Sequence, residues 1–345
     1  MTGHPSVHLV GVLDDRKAAI LRAVVEEYID TAQPVGSSHV ARAAQVAVSS
    51  ATVRNEMSVL ERDGYLVQPH TSAGRIPTDK GYRAFVDQLT GPGVLDSSRR
   101  ELVRDFFASA HGELEQLLHD TTRLLSHLTD YAAVVVREPD DAVTVRSVQL
   151  VGLARRVALV VVVQSNGAIE KRTLELRPDV DDDRLAAAGS HLAAAMKGRS
   201  LRDLGPAGPT GDEETDAVVA SVLAAMAGGG TEEEGRQVFV GGVSRMAAAF
   251  DAVEVVRQVL VTLEQQVVVV SLLRDVLDRG LSVAIGAEHG LDTLASCAVV
   301  VSPYQVPGTG GGTIGVLGPT RMNYPQAMAA VALVSRRLGD RVAEG

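Results

Sequence analysis

The sequence predicts an α+β protein whose chain begins with three short helices and a β-hairpin, the order of elements in a winged helix-turn-helix. Apolar residues recur at helical spacing in three segments between Asp14 and Asp63. A turn-rich segment from Pro69 to Arg75 then separates two short extended runs. From Tyr131 onward, Val-rich runs alternate with turn residues, and an Ala-rich helical segment interrupts them before strands return. The 345 residues suffice for two domains or a little more, at roughly 150 residues each.

Each of the first three helices has its own start signal. Asp14 or Asp15 caps the first, and the segment Pro34–Ser38 ends it and caps a second helix that runs through Ala44. Ser49 caps the third helix, which we expect from Ser50 to Asp63. The apolar residues that we expect to face inward from the first and third helices are Ile20, Leu21, Val24, Val25, Tyr28, Val53, Met57 and Leu60.

The outward side of the third helix carries residues that suit the reading of DNA bases. Arg54 can donate two hydrogen bonds to guanine, and Asn55 can pair with adenine. Ser50, Thr52 and Ser58 supply hydroxyl groups for phosphates or bases. The N-terminal turn of a recognition helix lies closest to the base edges, so these positions are well placed. The alternative interpretation is a three-helix packing unit without any role in DNA binding.

A hairpin follows directly. Gly64 ends the third helix, Tyr65–Gln68 reads as a strand, and a second short strand begins at Ile76 before Thr78 caps a closing helix. A hairpin in this place is a wing, and its tip suits phosphate or minor-groove contact; the simpler alternative is a solvated surface turn. The tip residues are His70, Thr71, Ser72 and Arg75. Between Tyr65 and Arg83 three cations, Arg75, Lys80 and Arg83, outnumber one acid.

The charge is distributed unevenly along the chain. There are 33 Lys and Arg against 43 Asp and Glu, a formal net charge of −10, which argues against coating nucleic acid or anionic membrane through bulk positive charge. The first 90 residues hold nine cations and ten acids, a net of −1, so the other 255 carry −9. A local DNA site is therefore compatible with this composition.

Cysteine content and hydropathy indicate the cellular compartment in which we expect the protein. The single cysteine, Cys297, excludes an intramolecular disulfide and a cysteine-rich metal site, and we expect it to be a small buried residue. Apolar runs such as Val157–Val163 are far shorter than the ~18 residues of a spanning helix. The first dozen residues lack the pattern of a signal peptide. We therefore expect a cytoplasmic protein with no membrane partner.

Composition shifts suggest the domain limits. The DNA-binding unit would cover residues 1–90, and Gly91-Pro92-Gly93 followed by a cap at Asp96 would open a linker and long amphipathic helix at 91–130. Strand-rich segments at 131–177 and 280–345 would form one α+β domain, and the helical segment 178–279 would be inserted into it. The leucine face of the helix over 114–128 suits either a dimer seam or, more commonly, core.

Several motifs together resemble the bacterial heat-inducible transcription repressor family HrcA. They are Val35-Gly36-Ser37-Ser38, Ser49-Ser50-Ala51-Thr52-Val53-Arg54-Asn55-Glu56-Met57, Pro69–Arg83 and, near the end, Gly315–Tyr324. The resemblance implies a winged-helix domain and a GAF-like domain interrupted by an inserted dimerising domain. It further implies a homodimer that binds double-stranded DNA at an inverted-repeat operator, the CIRCE element, ahead of chaperone operons. A GroEL-type chaperonin would be the partner that keeps such a repressor active.

Exposed positions and matched motifs together define the expected DNA contacts. These are Ser37, Ser38, Ser49, Ser50, Thr52, Arg54, Asn55, Ser58, His70, Thr71, Ser72, Gly74, Arg75, Lys80 and Arg83. Of these, Arg54 and Asn55 are the best candidates for base reading. The competing function is a ligand-sensing winged-helix regulator, whose GAF-like domain would bind a small molecule and change the affinity for DNA.

Motifs for catalysis or cofactor binding are weak. The loop at 308–315 contains a G-x-G-x-x-G match at Gly310, Gly312 and Gly315, but a strand and then a breaker follow it where a dinucleotide site needs a helix. His111, His119 and His127 repeat every eight residues, which turns them to different faces of a helix. Zinc-protease and nucleophile-elbow motifs do not occur. We therefore expect no enzyme activity, no cofactor and no metal.

Overall fold

A computed structural model describes the chain over residues 13–43, 48–71, 73–110, 114–138, 143–165, 169–176, 180–201, 204–227, 236–248, 250, 253–279, 282–305 and 311–344. Helices and strands are mixed throughout, as the predicted α+β class requires. The chain divides into two compact units. One comprises residues 1–135, 239–302 and 314–335, and the other comprises 136–238, 303–313 and 336–345.

Where it is described, the N-terminal part of the first unit contains four helices and a small hairpin. Its elements in chain order are α1 (Asp15–Thr31), α2 (Ser37–Val40), α3 (Ser50–Arg62), β1 (Leu66–Val67), β2 (Ile76–Pro77) and α4 (Asp79–Asp87). Apolar side chains at helical spacing are buried between them. These residues are Ile20, Leu21, Val24, Val25, Val53, Met57, Leu60, Leu66, Tyr82 and Phe85. We call residues 13–90 the head.

The predicted helix starts are confirmed by side-chain caps. Asp14 accepts from the Lys17 amide at 2.9 Å, and Ser49 accepts from the Thr52 amide at 3.2 Å. Thr78 and Asp96 cap their helices in the same way. Such caps satisfy amide groups that have no partner inside the helix. The second helix is shorter than predicted because it ends at Val40, and residues 44–47 of the predicted segment lie outside the described part.

The remaining elements alternate between helices and strands. In chain order they are α5 (Ser97–Ser109), α6 (Leu114–Thr129), β3 (Ala132–Arg137), β4 (Val145–Ala154), β5 (Val157–Gln164), β6 (Ile169–Glu175), α7 (Asp182–Met196), α8 (Glu213–Ala227), β7 (Gln237–Gly241), α9 (Val243–Ala247), α10 (Val253–Glu264), α11 (Gln266–Asp278), β8 (Val283–Ile285), β9 (Cys297–Gln305), β10 (Gly311–Pro319) and α12 (Tyr324–Glu344). Two short 3₁₀ turns, Gly286–His289 and Asp292–Leu294, lie between β8 and β9.

A five-stranded sheet lies for the greater part in the first unit, with the strand order β7-β3-β10-β9-β8. Its strands β3, β8 and β9 are buried over most of their length, which agrees with their Val-rich sequences. Cys297 at the start of β9 is fully buried, as predicted. The leucine face of α6 is also buried within the single chain at Leu118, Leu124, Leu125 and Leu128, so this face belongs to the core.

The second unit is built on a smaller antiparallel sheet, with the order β4-β5-β6. One face of this sheet packs against α7 and α8. The shared core includes Val148, Val160, Val162, Leu192 and Val222. Alternating residues of the strands point to the opposite face, as a period of two requires.

The observed grouping differs from the domain limits expected above. Strands β4–β6, which composition placed with the strand-rich domain, share a core with α7 and α8. Helices α10 and α11, which composition placed in the insertion at 178–279, belong to the first unit. Side-chain contacts across the chain decide this grouping, and local composition does not report them.

Other expectations fall outside the described residues. They concern His111 and the loop residues 308–310. Within the described residues no single helix is long and apolar enough to cross a membrane. One helix pair, Val255–Glu264 and Val267–Asp278, reaches the required length and composition together but is bent by 95°.

Candidate nucleic-acid interface

Helix α3 presents a polar face to solvent because its apolar residues fix its rotation. Val53, Met57 and Leu60 are fully buried against the neighbouring helices. Arg54 and Asn55 therefore lie on the exposed side, in the first half of the helix. Ser58, one turn further on, is exposed as well, and its hydroxyl donates to the Arg54 carbonyl at 3.0 Å. This placement agrees with the one that helical spacing predicts.

The starts of α2 and α3 lie side by side. The hydroxyl oxygens of Ser37 and Ser50 are 3.3 Å apart, so the two helix N-termini approach each other. Ser38 and Ser49 are exposed next to them, while Thr52 is half-buried with its hydroxyl 3.0 Å from that of Ser49. The five hydroxyl residues predicted for this region are thus brought together at one edge of the head.

The hairpin after α3 is held in shape by a glutamine that sequence reasoning did not single out. Its strands pair in antiparallel register, Leu66 with Pro77 and Val67 with Ile76. The Gln68 side-chain amide donates to the carbonyls of Thr71 at 3.1 Å and Ala73 at 2.8 Å. These two bonds close the loop at the hairpin tip. A polar residue at the end of a strand gives no sequence signal for such a role.

The described residues at the tip of the hairpin are exposed to solvent. His70 and Thr71 are exposed, whereas the predicted contact Ser72 lies outside the described residues.

Gly74 has a backbone role. Val35, which precedes α2, exchanges two backbone hydrogen bonds of 2.9 Å with Arg75, as a third strand beside the hairpin would. A Cβ atom at Gly74 would lie 2.5 Å from the carbonyl carbon of Val35 and 2.7 Å from that of Pro34. Only glycine leaves room for this close backbone approach.

Arg75 binds within the chain. Its Nε and Nη2 donate to Glu61 Oε2 at 3.0 and 2.9 Å, and Nη2 also donates to Ser58 Oγ at 3.0 Å. The Arg75 side chain is only 14% exposed. Its charge therefore fixes the base of the hairpin to α3, and Glu61 and Ser58 are its partners.

Lys80 and Arg83, the two cations predicted on α4, are also held by partners. Lys80 Nζ donates to the Asp63 carbonyl at 2.8 Å and lies 4.3 Å from the centroid of the Tyr65 ring. Arg83 forms a two-pronged ion pair with Glu288 from the segment between β8 and β9. Lys80 is exposed like Arg54, but Arg54 differs from all three cations because its side chain has no hydrogen-bond or ion-pair partner among the described residues.

The described residues hold no group of three or more His, Cys, Asp or Glu side chains that could bind a metal ion. Gly312 and Gly315 of the predicted G-x-G-x-x-G match lie within strand β10. A Cβ atom added at Gly315 would lie 2.8 Å from the carbonyl oxygen of Val300. These glycines serve close strand packing, because a side chain there would meet neighbouring backbone.

Comparisons with known proteins agree on one class. The family model "HrcA protein C terminal domain" matches residues 115–328. The heat-inducible transcription repressor HrcA of Nocardia farcinica is 40% identical over 342 residues, which cover 96% of this chain and 97% of that protein. The protein of the same name from Kineococcus radiotolerans is 40% identical, with 96% and 99% covered. The chain is thus a transcription repressor.

The family follows from the extent of these matches. Near-complete coverage at this identity shows that the chain belongs to the HrcA family of heat-inducible transcription repressors. A solved structure described as a hypothetical protein has the same overall fold, with a TM-score of 0.59 at 20% identity, covering 96% of this chain and 99% of that one.

Proposed function

We propose that the head is a winged helix-turn-helix that binds operator DNA, with α3 in the major groove and the hairpin tip against the flanking backbone or minor groove. The observation that carries this proposal is the exposed pair Arg54 and Asn55 on the first half of α3, beside an exposed hairpin tip. Arg and Asn are the side chains that discriminate guanine and adenine by paired hydrogen bonds. The serine and threonine hydroxyls at the starts of α2 and α3 suit phosphate contacts.

The proposed contact set is narrower than the one expected from the sequence. Arg54, Asn55, Ser38, Ser49, His70 and Thr71 stay in it because they are exposed and do not hold the hairpin or α4 in place. Arg75, Lys80 and Gly74 become positioning residues, because their partners lie inside the head. With one unpaired cation on α3, the complex depends on base contacts and on two heads acting together.

We infer a homodimer on an inverted repeat, and the small sheet of the second unit offers a surface for it. The face of this sheet away from α7 and α8 carries Leu159, Val161 and Val163 on the central strand. Val151 and Ile169 on the outer strands are 43% and 59% exposed. Exposed apolar patches of this kind mark association surfaces.

The dimer surface is tested by a charge placed on it. Val151→Asp should convert the dimer to a monomer in analytical ultracentrifugation, while Val267→Asp, at an exposed valine of α11, should leave the dimer intact. A dimer that survives Val151→Asp would contradict this surface.

The regulated genes and the signal are proposed from the family. The operator would be a CIRCE-like inverted repeat ahead of chaperone operons, the α+β domain around the insertion would be GAF-like, and a GroEL-type chaperonin would keep the repressor active. Dimerisation and DNA binding both require folded repressor. Loss of the chaperonin would reduce the concentration of folded repressor and would therefore lower operator occupancy by mass action. The aromatic content of 3% agrees with a core of modest stability.

DNA binding is tested first. The purified chain should protect an inverted repeat in the chaperone promoters of its own genome, and its affinity for that site should exceed its affinity for a scrambled site by about a thousandfold or more. Equal affinity for both would contradict a sequence-specific repressor.

Chaperonin coupling is tested at fixed repressor concentration. Operator occupancy should fall on warming and be restored when the chaperonin is added. Occupancy that does not respond to chaperonin at any temperature would contradict the coupling.

A further inference from the structure

An ion pair joins the head to a distant part of the sequence. Arg83 on α4 donates from Nε to Glu288 Oε1 at 2.8 Å and from Nη2 to Glu288 Oε2. The same Nη2 donates to the Val283 carbonyl at 2.7 Å. The guanidinium thus holds both a carboxylate and a backbone carbonyl that lie 205 and 200 residues further along the chain. Both partners belong to the first unit.

Hydrogen bonds to residues other than Arg83 also hold Glu288 in place. Its Oε2 accepts from the Ile285 amide at 2.9 Å, and its own carbonyl accepts from Arg279 Nη1 at 2.7 Å. A carboxylate that is fixed by backbone bonds presents its two oxygens in one direction. The planar fork of an arginine matches that geometry, and a lysine does not.

Neighbouring contacts lie around this pair. The Asp79 carboxylate accepts from the Ala287 amide, and Gly286, with φ +55°, brings its backbone against Asp79. Tyr82 and Tyr324 pack with their ring centroids 5.9 Å apart. We call Arg83 and Glu288 the joint: they form the ion pair of this contact, while Asp79 adds a hydrogen bond and the tyrosines supply the apolar part.

We propose that the joint fixes the orientation of the head on its own subunit and so determines which separation of half-sites the dimer recognises. This inference rests on the proposed function, since it requires two heads that bind an inverted repeat. Arg83 and Glu288 act as positioning residues and make no contact with DNA.

The physical reason is effective concentration. When both heads are held rigidly, the second head meets its half-site without further cost only if the spacing matches, so the affinity depends steeply on spacer length. When a head can turn on its subunit, the dimer can bind operators with many half-site spacings. Its affinity for each of them is then lower than that of a rigid dimer for the matching spacing, because the heads are not pre-organised. Loosening the joint should therefore flatten the spacing profile and weaken binding at the natural spacing.

The experiment compares the full-length dimer on a series of operators whose spacer is shortened or lengthened by one and two base pairs. Wild type should lose about tenfold or more in affinity for a two-base-pair change. Arg83→Ala and the isosteric Glu288→Gln should lose only about threefold or less over the same change, and bind the natural operator about tenfold more weakly. Arg83→Lys should give an intermediate profile, because it keeps the charge and loses the fork.

Two controls separate positioning from other effects. Affinity for a single half-site should stay within about twofold of wild type in both joint variants, because the DNA-facing residues are unchanged. Arg104→Ala removes an arginine whose partners within the described part of the chain are Glu101 and Asp105, on the exposed side of α5, and it should keep the wild-type spacing profile.

The outcomes are distinct. Joint variants that keep the steep wild-type profile would overturn the proposal, as would variants that lose half-site affinity or unfold together. If wild type itself does not distinguish the operator from scrambled DNA, then the proposed function fails and the joint is not the cause.

Discussion

Arg75 and Glu61 form an ion pair with Nη2 and Oε2 2.9 Å apart, and this pair ties the base of the hairpin to the helix that bears Arg54 and Asn55. The two residues are 14 positions apart and come from different elements. Their contact fixes the base of the hairpin against α3.

Arg75→Ala should weaken binding to all DNA sequences without changing the slope of affinity against salt. A phosphate contact would contribute about one unit to that slope, whereas a residue that only positions the hairpin contributes none. Salt titration of operator binding measures this. Glu61→Gln is the matched variant and should act in the same direction. A slope that falls by about one unit in Arg75→Ala would assign Arg75 to the phosphate backbone.

Arg54→Ala should cost about 1 to 3 kcal/mol in operator binding and relax the specificity at one base pair. The exposed position of Arg54 on α3 is the reason. Binding to a set of single-base operator variants measures the effect. Arg62→Ala removes the same charge from the last turn of the same helix, and its base specificity should match wild type. An equal loss on operator and scrambled DNA would exclude base reading by Arg54.

Gly74→Ala should lower the free energy of unfolding by about 1 to 3 kcal/mol, because the new methyl group overlaps the backbone of Val35 and strains both of its hydrogen bonds to Arg75. Urea unfolding measures the change. Gly36→Ala is the control, since no heavy atom of the described residues, its chain neighbours aside, lies within 4 Å of a Cβ there and its φ of −90° suits alanine. Equal stability of the two variants would refute this view of Gly74.

The buried His289 should make the protein less stable in mild acid. Burial lowers the pKa of His289 below its ordinary value of 6.5, and its Nδ1 accepts from the Leu291 amide at 3.3 Å. Below pH 6.5 His289 binds a proton in the unfolded chain but stays neutral in the folded chain until the pH reaches its lower folded pKa. The free energy of unfolding therefore falls as the pH falls. At a pH below the folded pKa this loss levels off.

His289→Gln tests this sign. The variant should lose part of the slope of stability against pH between pH 6.5 and the lower folded value, relative to wild type. His127→Gln, at an exposed position on α6, serves as the control and should keep the wild-type slope. Identical slopes in wild type and His289→Gln would refute the assignment.

Cys297 should report the folded fraction of the protein. Burial raises the pKa of its thiol to about 12, so the folded chain presents almost no thiolate to an alkylating agent near neutral pH. Iodoacetamide labelling, followed by mass spectrometry, should proceed only through unfolding and accelerate on warming. Ser190→Cys places a second thiol on an exposed side of α7 and should be labelled at once. Rapid labelling of Cys297 in the native state would contradict its burial.

Local signals in the sequence were sufficient for the elements of the head and for one face of α3. Capping residues such as Ser49 and Thr78 fix helix starts through bonds that span three residues, and the 3.6-residue period fixes which side is buried. Arg54 and Asn55 could be recognised as exposed on this basis alone. The strands β5 and β10 were likewise recognisable from their apolar runs.

Partners that are distant in sequence could not be predicted. Nothing near Arg75 or Arg83 in the sequence shows that Glu61 and Glu288 will hold them. The residues of the two units were also grouped differently from the prediction, because β4–β6 and α7–α8 meet through a core that local composition does not reveal.

Where the helices begin, which face of α3 is exposed and which side chains that face presents to solvent follow from the order of the amino acids, because these properties depend on neighbours within a few residues. Which cations find partners depends instead on the fold. Arg75, Lys80 and Arg83 look alike as positive charges in the sequence, but each is bound by acceptors that the fold brings within about 3 Å, while the Arg54 side chain has no such partner among the described residues.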